Sequence, residues 1–169
     1  MRDSKIIAAV DEEFGIGKDG GMPWHVPADF QFFKSMTYGG TVVVGRKTFE
    51  NTGVLPGRQF LILTSDKSKT GECYGEDKNG RITSVRYVNS FEEVSLRSMS
   101  TPDPTWIAGG GAVYDHYVGI SQDLYLSHIP GIHDCDTFFP DIDSYSAVGK
   151  VPAEGFEFKR YTLTTDGTT

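Results

Sequence analysis

Basic side chains are in the minority in this chain: 16 Lys and Arg stand against 23 Asp and Glu, a formal charge of -7. Affinity for phosphate backbones comes mainly from a basic surface, so a nucleic-acid partner is set aside. Cysteine is scarce as well. Cys73 and Cys135 lie far apart without paired-cysteine spacing, which excludes a disulfide framework or a cysteine zinc site and reads as reduced thiols. The four histidines, His25, His116, His128 and His133, share no metal-ligand spacing, and no calcium-loop pattern continues from Asp134-Cys135-Asp136 or Asp141-Ile142-Asp143. No metal is expected. Long hydrophobic runs are missing too: none approaches the ~20 residues of a membrane span, and Met1 to Lys5 has no stretch of signal-peptide character. The expectation is a soluble, cytoplasmic protein without a membrane partner.

What is present fits one globular unit. A chain of 169 residues with 38% hydrophobic and 23% charged side chains suits a single domain over residues 1–169. Lys5 to Val10, Thr41 to Val44, Phe60 to Leu63 and Trp106 to Ala108 are short apolar runs of the kind found in strands buried on both faces. Helical patterns lie between them. Pro27 suits a first helical position, and Phe30, Phe33 and Met36 follow at one-face spacing. Ser90 with Glu93 forms a capping-box pattern that predicts a helix to about Met99, and Gly111 to Val118 is a further short helix. Strand alternating with helix predicts an α/β fold with mainly parallel strands. Toward the end, Leu124 to Ile129 has strand composition, and Phe156 to Tyr161 alternates as an antiparallel edge strand would. The polar stretch Lys67 to Arg81 reads as a surface loop, and the Thr-rich tail from Thr162 is too short for a domain.

Three glycine clusters invite a nucleotide. Gly15-Ile16-Gly17-Lys18-Asp19-Gly20 spells G-x-G-x-x-G, but Pro23 and Pro27 follow where the dinucleotide fingerprint needs a helix to start, so a mobile lid is the better reading. Gly40 and Gly45 have Walker spacing, yet an apolar strand lies between them and the order Gly45-Arg46-Lys47-Thr48 is not Gly-Lys-Thr. Arg46 and Lys47 nevertheless fall just past a strand end, where open α/β sheets bind ligands. Gly109-Gly110-Gly111 sits between a buried strand and a helix, and its amides can approach a diphosphate without a Cβ in the way. Asp29 stands alone among Phe30, Phe32 and Phe33. It is either an acid favoured by the helix start or a partner for a planar N–H and NH2 edge, through two parallel hydrogen bonds.

Ile7-Ala8-Ala9-Val10, Gly15-Ile16-Gly17, Met22-Pro23-Trp24, Pro27-Ala28-Asp29-Phe30, Phe33-Lys34, Val44 to Glu50, Leu55-Pro56-Gly57-Arg58, Ile107 to Tyr114 and Asp136 to Pro140 come in order. Together they resemble the dihydrofolate reductase family. The resemblance implies reduction of 7,8-dihydrofolate by NADPH in a monomer. It also implies a three-layer fold: a mostly parallel eight-stranded sheet with an antiparallel C-terminal edge strand and helices on both faces.

By position, Asp29 resembles the acid that holds the pterin and favours protonation at N5, Ser127 its hydrogen-bonding neighbour, Trp24 the aromatic that orders water, and Met22 a lid residue. Ile7, Ala8, Phe30, Phe33 and Leu55 resemble the walls around the folate, and Arg58 the clamp on its glutamate. Ala9, Ile16, Ala108, Ala112, Val113 and Tyr114 resemble residues along the cofactor. Gly45, Arg46, Lys47, Thr48, Leu63, Thr64 and Ser65 resemble the cradle for adenosine and its phosphates, with Gly110 and Gly111 at the pyrophosphate. Ala112 stands where some relatives carry an arginine, which leaves the 2'-phosphate to Arg46, Lys47 and Lys67. Ser127 stands where threonine is common. Two rival functions are a reductase of riboflavin synthesis and a folate- or nucleotide-binding protein without turnover. Asp29 in Pro-Ala-Asp-Phe and Arg58 after Leu-Pro-Gly speak for folate.

Overall fold

Each of the six apolar or alternating runs becomes a strand in the computed structural model, which describes residues 3–164. Met1, Arg2 and the tail beyond Thr164 lie outside the described residues. In chain order the elements are β1 (Lys5–Val10), β2 (Gly15–Gly17), α1 (Pro27–Thr37), β3 (Thr41–Gly45), α2 (Arg46–Thr52), β4 (Gln59–Leu63), β5 (Glu72–Glu76), β6 (Ile82–Val88) and α3 (Phe91–Met99). There follow β7 (Thr105–Ile107), α4 (Gly111–Tyr117), β8 (Asp123–His128), β9 (Thr137–Phe138), β10 (Tyr145–Ala153) and β11 (Phe156–Leu163). The main sheet has the order β10-β11-β8-β1-β7-β3-β4-β6-β5, and β2 pairs with β9 in a separate ribbon.

Six neighbouring strands, β8 through β6, run parallel. Their side chains alternate between two apolar layers, as period-two geometry requires. Val43, Leu61 and Ile107 face a layer closed by Val94 of α3 and by Val113, Tyr114 and Tyr117 of α4. Val42, Val44, Phe60 and Ile62 face the opposite layer, closed by Phe49 of α2, whose ring meets Phe60 at 5.3 Å. Ile6, Ile62, Ile107, Leu124 and Leu126 are wholly buried, each contributing about 1.5–3 kcal/mol relative to exposure. Ser90 caps α3 as expected, its hydroxyl accepting from Glu93 N at 3.1 Å. The Glu93 carboxylate accepts from Asn89 N instead of closing back on Ser90.

Two details depart from expectation. The sheet has nine strands, because β5 lies inside the polar stretch 67–81 and folds back antiparallel on β6. All five of its residues are exposed, so no buried face marks it in the sequence. The turn to β6 is held by Asp77 Oδ1, which accepts from Asn79 N and Arg81 N, each at 2.9 Å. The C-terminal antiparallel edge is β10, with β11 lying inside it against β8. Apart from Tyr145, β10 is exposed throughout and carries Pro152, a residue that sheet edges tolerate.

Helix α1 inverts the ordinary pattern. Its buried residues are Asp29 and Thr37, whereas Phe30 is 42% exposed and Phe33 only half-buried. Phe32 holds the helix to β11 through Phe158 and Phe156, at centroid distances of 4.9 and 6.0 Å. A helix that buries an acid and leaves aromatics open is shaped by a cleft, not by the core alone.

Candidate active site

The cleft that α1 borders has a volume of about 1040 Å³, enough for more than one small ligand. It follows the carboxyl-terminal side of five neighbouring strands, touching Ser127 of β8, Ile7, Ala8 and Ala9 of β1, the 108–111 turn after β7, Gly45 at the end of β3, and Leu63 to Ser65 at the end of β4. Ligands of open parallel sheets bind at this edge. The segment Ile16 to Met22 forms another wall. As expected, no helix starts in this glycine loop: Gly15 and Gly17 pair with β9, and a bridge joins Lys18 to Gly21.

At the α1 end, Asp29 is 9% exposed and is the only carboxylate among the described residues that line the cleft. Burial pushes its carboxyl above the ordinary range, and a hydrogen bond from the Ser127 hydroxyl offsets part of that rise. Ile7, Ala8, Phe30 and Phe33 supply apolar walls. The Trp24 Nε1–H is buried without a protein acceptor, and Met22 is 57% exposed on the lid. Tyr114 Oη donates to the Ile7 carbonyl at 2.8 Å. Burial, helped by the charge of Asp29, pushes the Tyr114 hydroxyl pKa up, so it stays a donor.

The other end is basic and tightly packed. Gly45 N donates to Gly109 O at 2.7 Å, tying the ends of β3 and β7 together. A Cβ at Gly110 would stand 2.8 Å from Thr48 Oγ1, and one at Gly111 would stand 3.1 Å from Thr137 Cγ2. Thr48 and Thr137 already occupy the space a Cβ would take, so only glycine lets the turn pack this closely. Arg46, Lys47, Thr48, Leu63, Thr64, Ser65, Ala108, Ala112 and Val113 all line this part. Arg46 is held by Glu50 at 2.8 Å on an exposed face, a pair of small energetic value that a ligand phosphate can outbid.

Three expected residues lie elsewhere. Leu55 packs against the Val42, Val44 and Phe60 layer, and Lys67 is not on the cleft wall. Arg58 is 5% exposed: Nε donates to Thr37 Oγ1 at 3.0 Å, Nη1 to the Pro56 carbonyl and Nη2 to the Lys34 carbonyl. A guanidinium has five N–H donors, so one remains on each Nη. The cleft also takes Lys18, Gln31, Asn51 and Thr137, which sequence reasoning passed over. Asn51 Nδ2 donates to Gly20 O, linking α2 to the lid. Only Lys18, a cation inside the glycine loop, carried a visible signal.

Comparison with known proteins agrees with this geometry. Residues 4–165 match the dihydrofolate reductase family. Dihydrofolate reductase of Haemophilus influenzae is 36% identical, over 82% of this chain and 79% of its own length. Dihydrofolate reductase HdrB of Haloferax volcanii is 32% identical, over 92% of this chain and 81% of its own. Among solved structures, dihydrofolate reductase from Enterococcus faecalis, complexed with NADP(H) and RAB-propyl, superposes with a TM-score of 0.82 and 31% identity, over 96% of this chain and 98% of that one. The chain belongs to the dihydrofolate reductase family.

Proposed function

We propose that this protein reduces 7,8-dihydrofolate to 5,6,7,8-tetrahydrofolate with NADPH. The observation that carries the reading is the charge arrangement of one continuous cleft: a lone buried acid, Asp29, toward α1, and the cations Arg46 and Lys47 beyond the glycine turn. A pterin presents a planar N–H and NH2 edge that one carboxylate holds through two parallel hydrogen bonds. NADPH is an anion with phosphates at one end and an apolar ring at the other. Its phosphates fit Arg46, Lys47, Thr48 and the Gly110–Gly111 amides, which line the same part of the cleft. The ring end fits Ala9, Ile16 and Tyr114.

The cofactor supplies the hydride for C6 of the pterin. Asp29 binds the pterin edge as the carboxylate and draws electron density toward a protonated N5, while Ser127 orients it. The Trp24 Nε1–H, which lacks a protein acceptor, holds a water that relays the proton to N5. The C6=N5 bond then gains one hydride and one proton. Tyr114, tied to the Ile7 carbonyl, keeps the β1 wall in place. The free N–H on each Nη of Arg58 matches the two oxygens of the folate glutamate, and Leu55 backs that end from the layer beneath. Met22 closes over the rings with the lid and excludes water.

The matched residues act as one reductase domain, monomeric, in the cytoplasm, where Cys73 and Cys135 stay free thiols. Mixing the protein with NADPH and dihydrofolate tests the reading: nicotinamide absorbance falls as tetrahydrofolate forms. Binding of both ligands without any fall would leave a binding protein and sink the reductase.

A further inference from the structure

Asp11 is buried and charged, yet the chemistry above makes no use of it. It follows β1 directly and is 1% exposed. Both carboxylate oxygens are taken: Oδ1 accepts from Glu13 N at 2.9 Å and Gly15 N at 2.8 Å, and Oδ2 from His133 N at 2.9 Å and the Cys135 thiol at 3.6 Å. Burial alone would raise this carboxyl, but the three backbone N–H donors hold it below the ordinary range.

The donors come from two segments that are distant in sequence. One, 12–17, opens the lid and carries Ile16 into the cleft wall. The other, 131–135, carries His133, whose ring meets Trp24 edge-on at 5.3 Å. The bond from Glu12 N to Gly131 O at 3.1 Å, that from Asp136 N to Gly17 O at 2.9 Å and the β2–β9 ribbon also join these regions, but β9 has only two residues, both exposed, and a short two-stranded ribbon is marginal by itself. Gly15 completes the knot. A Cβ there would lie 2.5 Å from both Cβ and Sγ of Cys135 and 3.0 Å from Asp11 Oδ1, so the fit has no slack.

We infer that Asp11 is a positioning residue for hydride transfer: its carboxylate clamps the lid base to the 131–135 segment and so fixes Ile16 and Trp24 in the cleft wall. This rests on the reductase reading, since those two walls flank the reacting rings in it. An amide at this position would turn N–H donors toward N–H donors on one side of the knot, and one segment would move off.

The test is Asp11→Asn in the full chain, in a Trp106→Phe background. The sequence has two tryptophans, so Trp24 is then the sole emitter. Single-turnover hydride transfer from bound NADPH falls about 10- to 100-fold, the scale on which small misplacement costs rate. Trp24 emission moves to the red as its ring leaves His133. Affinity for 2',5'-ADP, which uses only the basic end, stays within about twofold. A hydride-transfer rate within about twofold of the parent, or an equal loss of 2',5'-ADP affinity, overturns the proposal. If Asp11→Asn does not fold, Gly15→Ala forces a Cβ against Cys135 and Asp11 Oδ1 in the same knot and should slow transfer while 2',5'-ADP affinity holds; an unslowed rate overturns the proposal. A parent protein inactive toward dihydrofolate would sink the reductase reading alone, and unchanged Trp24 emission in Asp11→Asn would still overturn the clamp.

Discussion

Asp11 and Asp29 are the two buried carboxylates among the described residues, and the fold treats them in opposite ways. Asp11 is saturated by donors from its own chain and is held below the ordinary carboxylate range. Asp29 has one side-chain donor, Ser127, and burial holds it above that range. Burying a charge is costly unless hydrogen bonds replace the lost water. A satisfied buried acid is therefore a fastening. One with acceptor capacity left over, on the wall of a cleft, is suited to a ligand that brings the missing donors. Burial alone does not separate the two; the count of donors does.

The largest expected effect exploits that difference. Asp29→Asn should cut hydride transfer by about 10²- to 10⁴-fold, the span of general acid–base assistance, with NADPH affinity close to the parent value. Stopped-flow turnover and cofactor titration check this. Unchanged turnover at neutral pH would reduce Asp29 to a second fastening and remove the contrast.

Arg58 sharpens the comparison because it lies between the extremes. Three of its N–H groups are satisfied by Thr37, Pro56 and Lys34, and the remainder suit a carboxylate. Arg58→Leu should weaken dihydrofolate binding by about 1.5–3 kcal/mol, the value of hydrogen bonds to charged groups. A pterin lacking glutamate should lose far less. Comparing the two substrates cancels the damage to Lys34 and Pro56, and equal losses would assign Arg58 wholly to structure.

The same difference governs what the sequence alone reveals. The strands β1, β3, β4 and β7 were legible because continuous apolar runs are what burial on two faces demands. Asp29 was legible because one acid among Phe30, Phe32 and Phe33 is a local anomaly, and the direction of its pKa emerged only once Ser127 and burial were known. Strands β5 and β10 were illegible because exposed edges carry no apolar signature. Asp11 was hidden for another reason: Glu12 and Glu13 follow it and read as a solvated acidic run, while His133 and Cys135, its partners, come over a hundred residues later. Leu55 and Lys67 were placed by resemblance, which gives neighbourhood in the chain and not the direction of a side chain.

The smallest effect is the one in which the two acids should differ in sign. A folded carboxyl raised above its unfolded value of 3.8 binds its proton more tightly in the folded state, so the ionised form of Asp29 costs stability as pH rises through that raised value. Asp29→Asn removes the charge. Its Tm at pH 7 should exceed the parent's, and the gap should close in acid, where the parent's carboxyl is protonated folded and unfolded alike. Asp11 runs the other way, because a lowered carboxyl contributes stability above its unfolded value that is lost as pH falls through the folded one. Asp11→Asn should therefore melt below the parent at pH 7, with a gap that narrows on acidification. Calorimetry on both variants at two pH values decides the matter. If both substitutions lower Tm at pH 7, Asp29 is as well satisfied as Asp11, and its role must come from position in the cleft instead of unspent acceptor capacity.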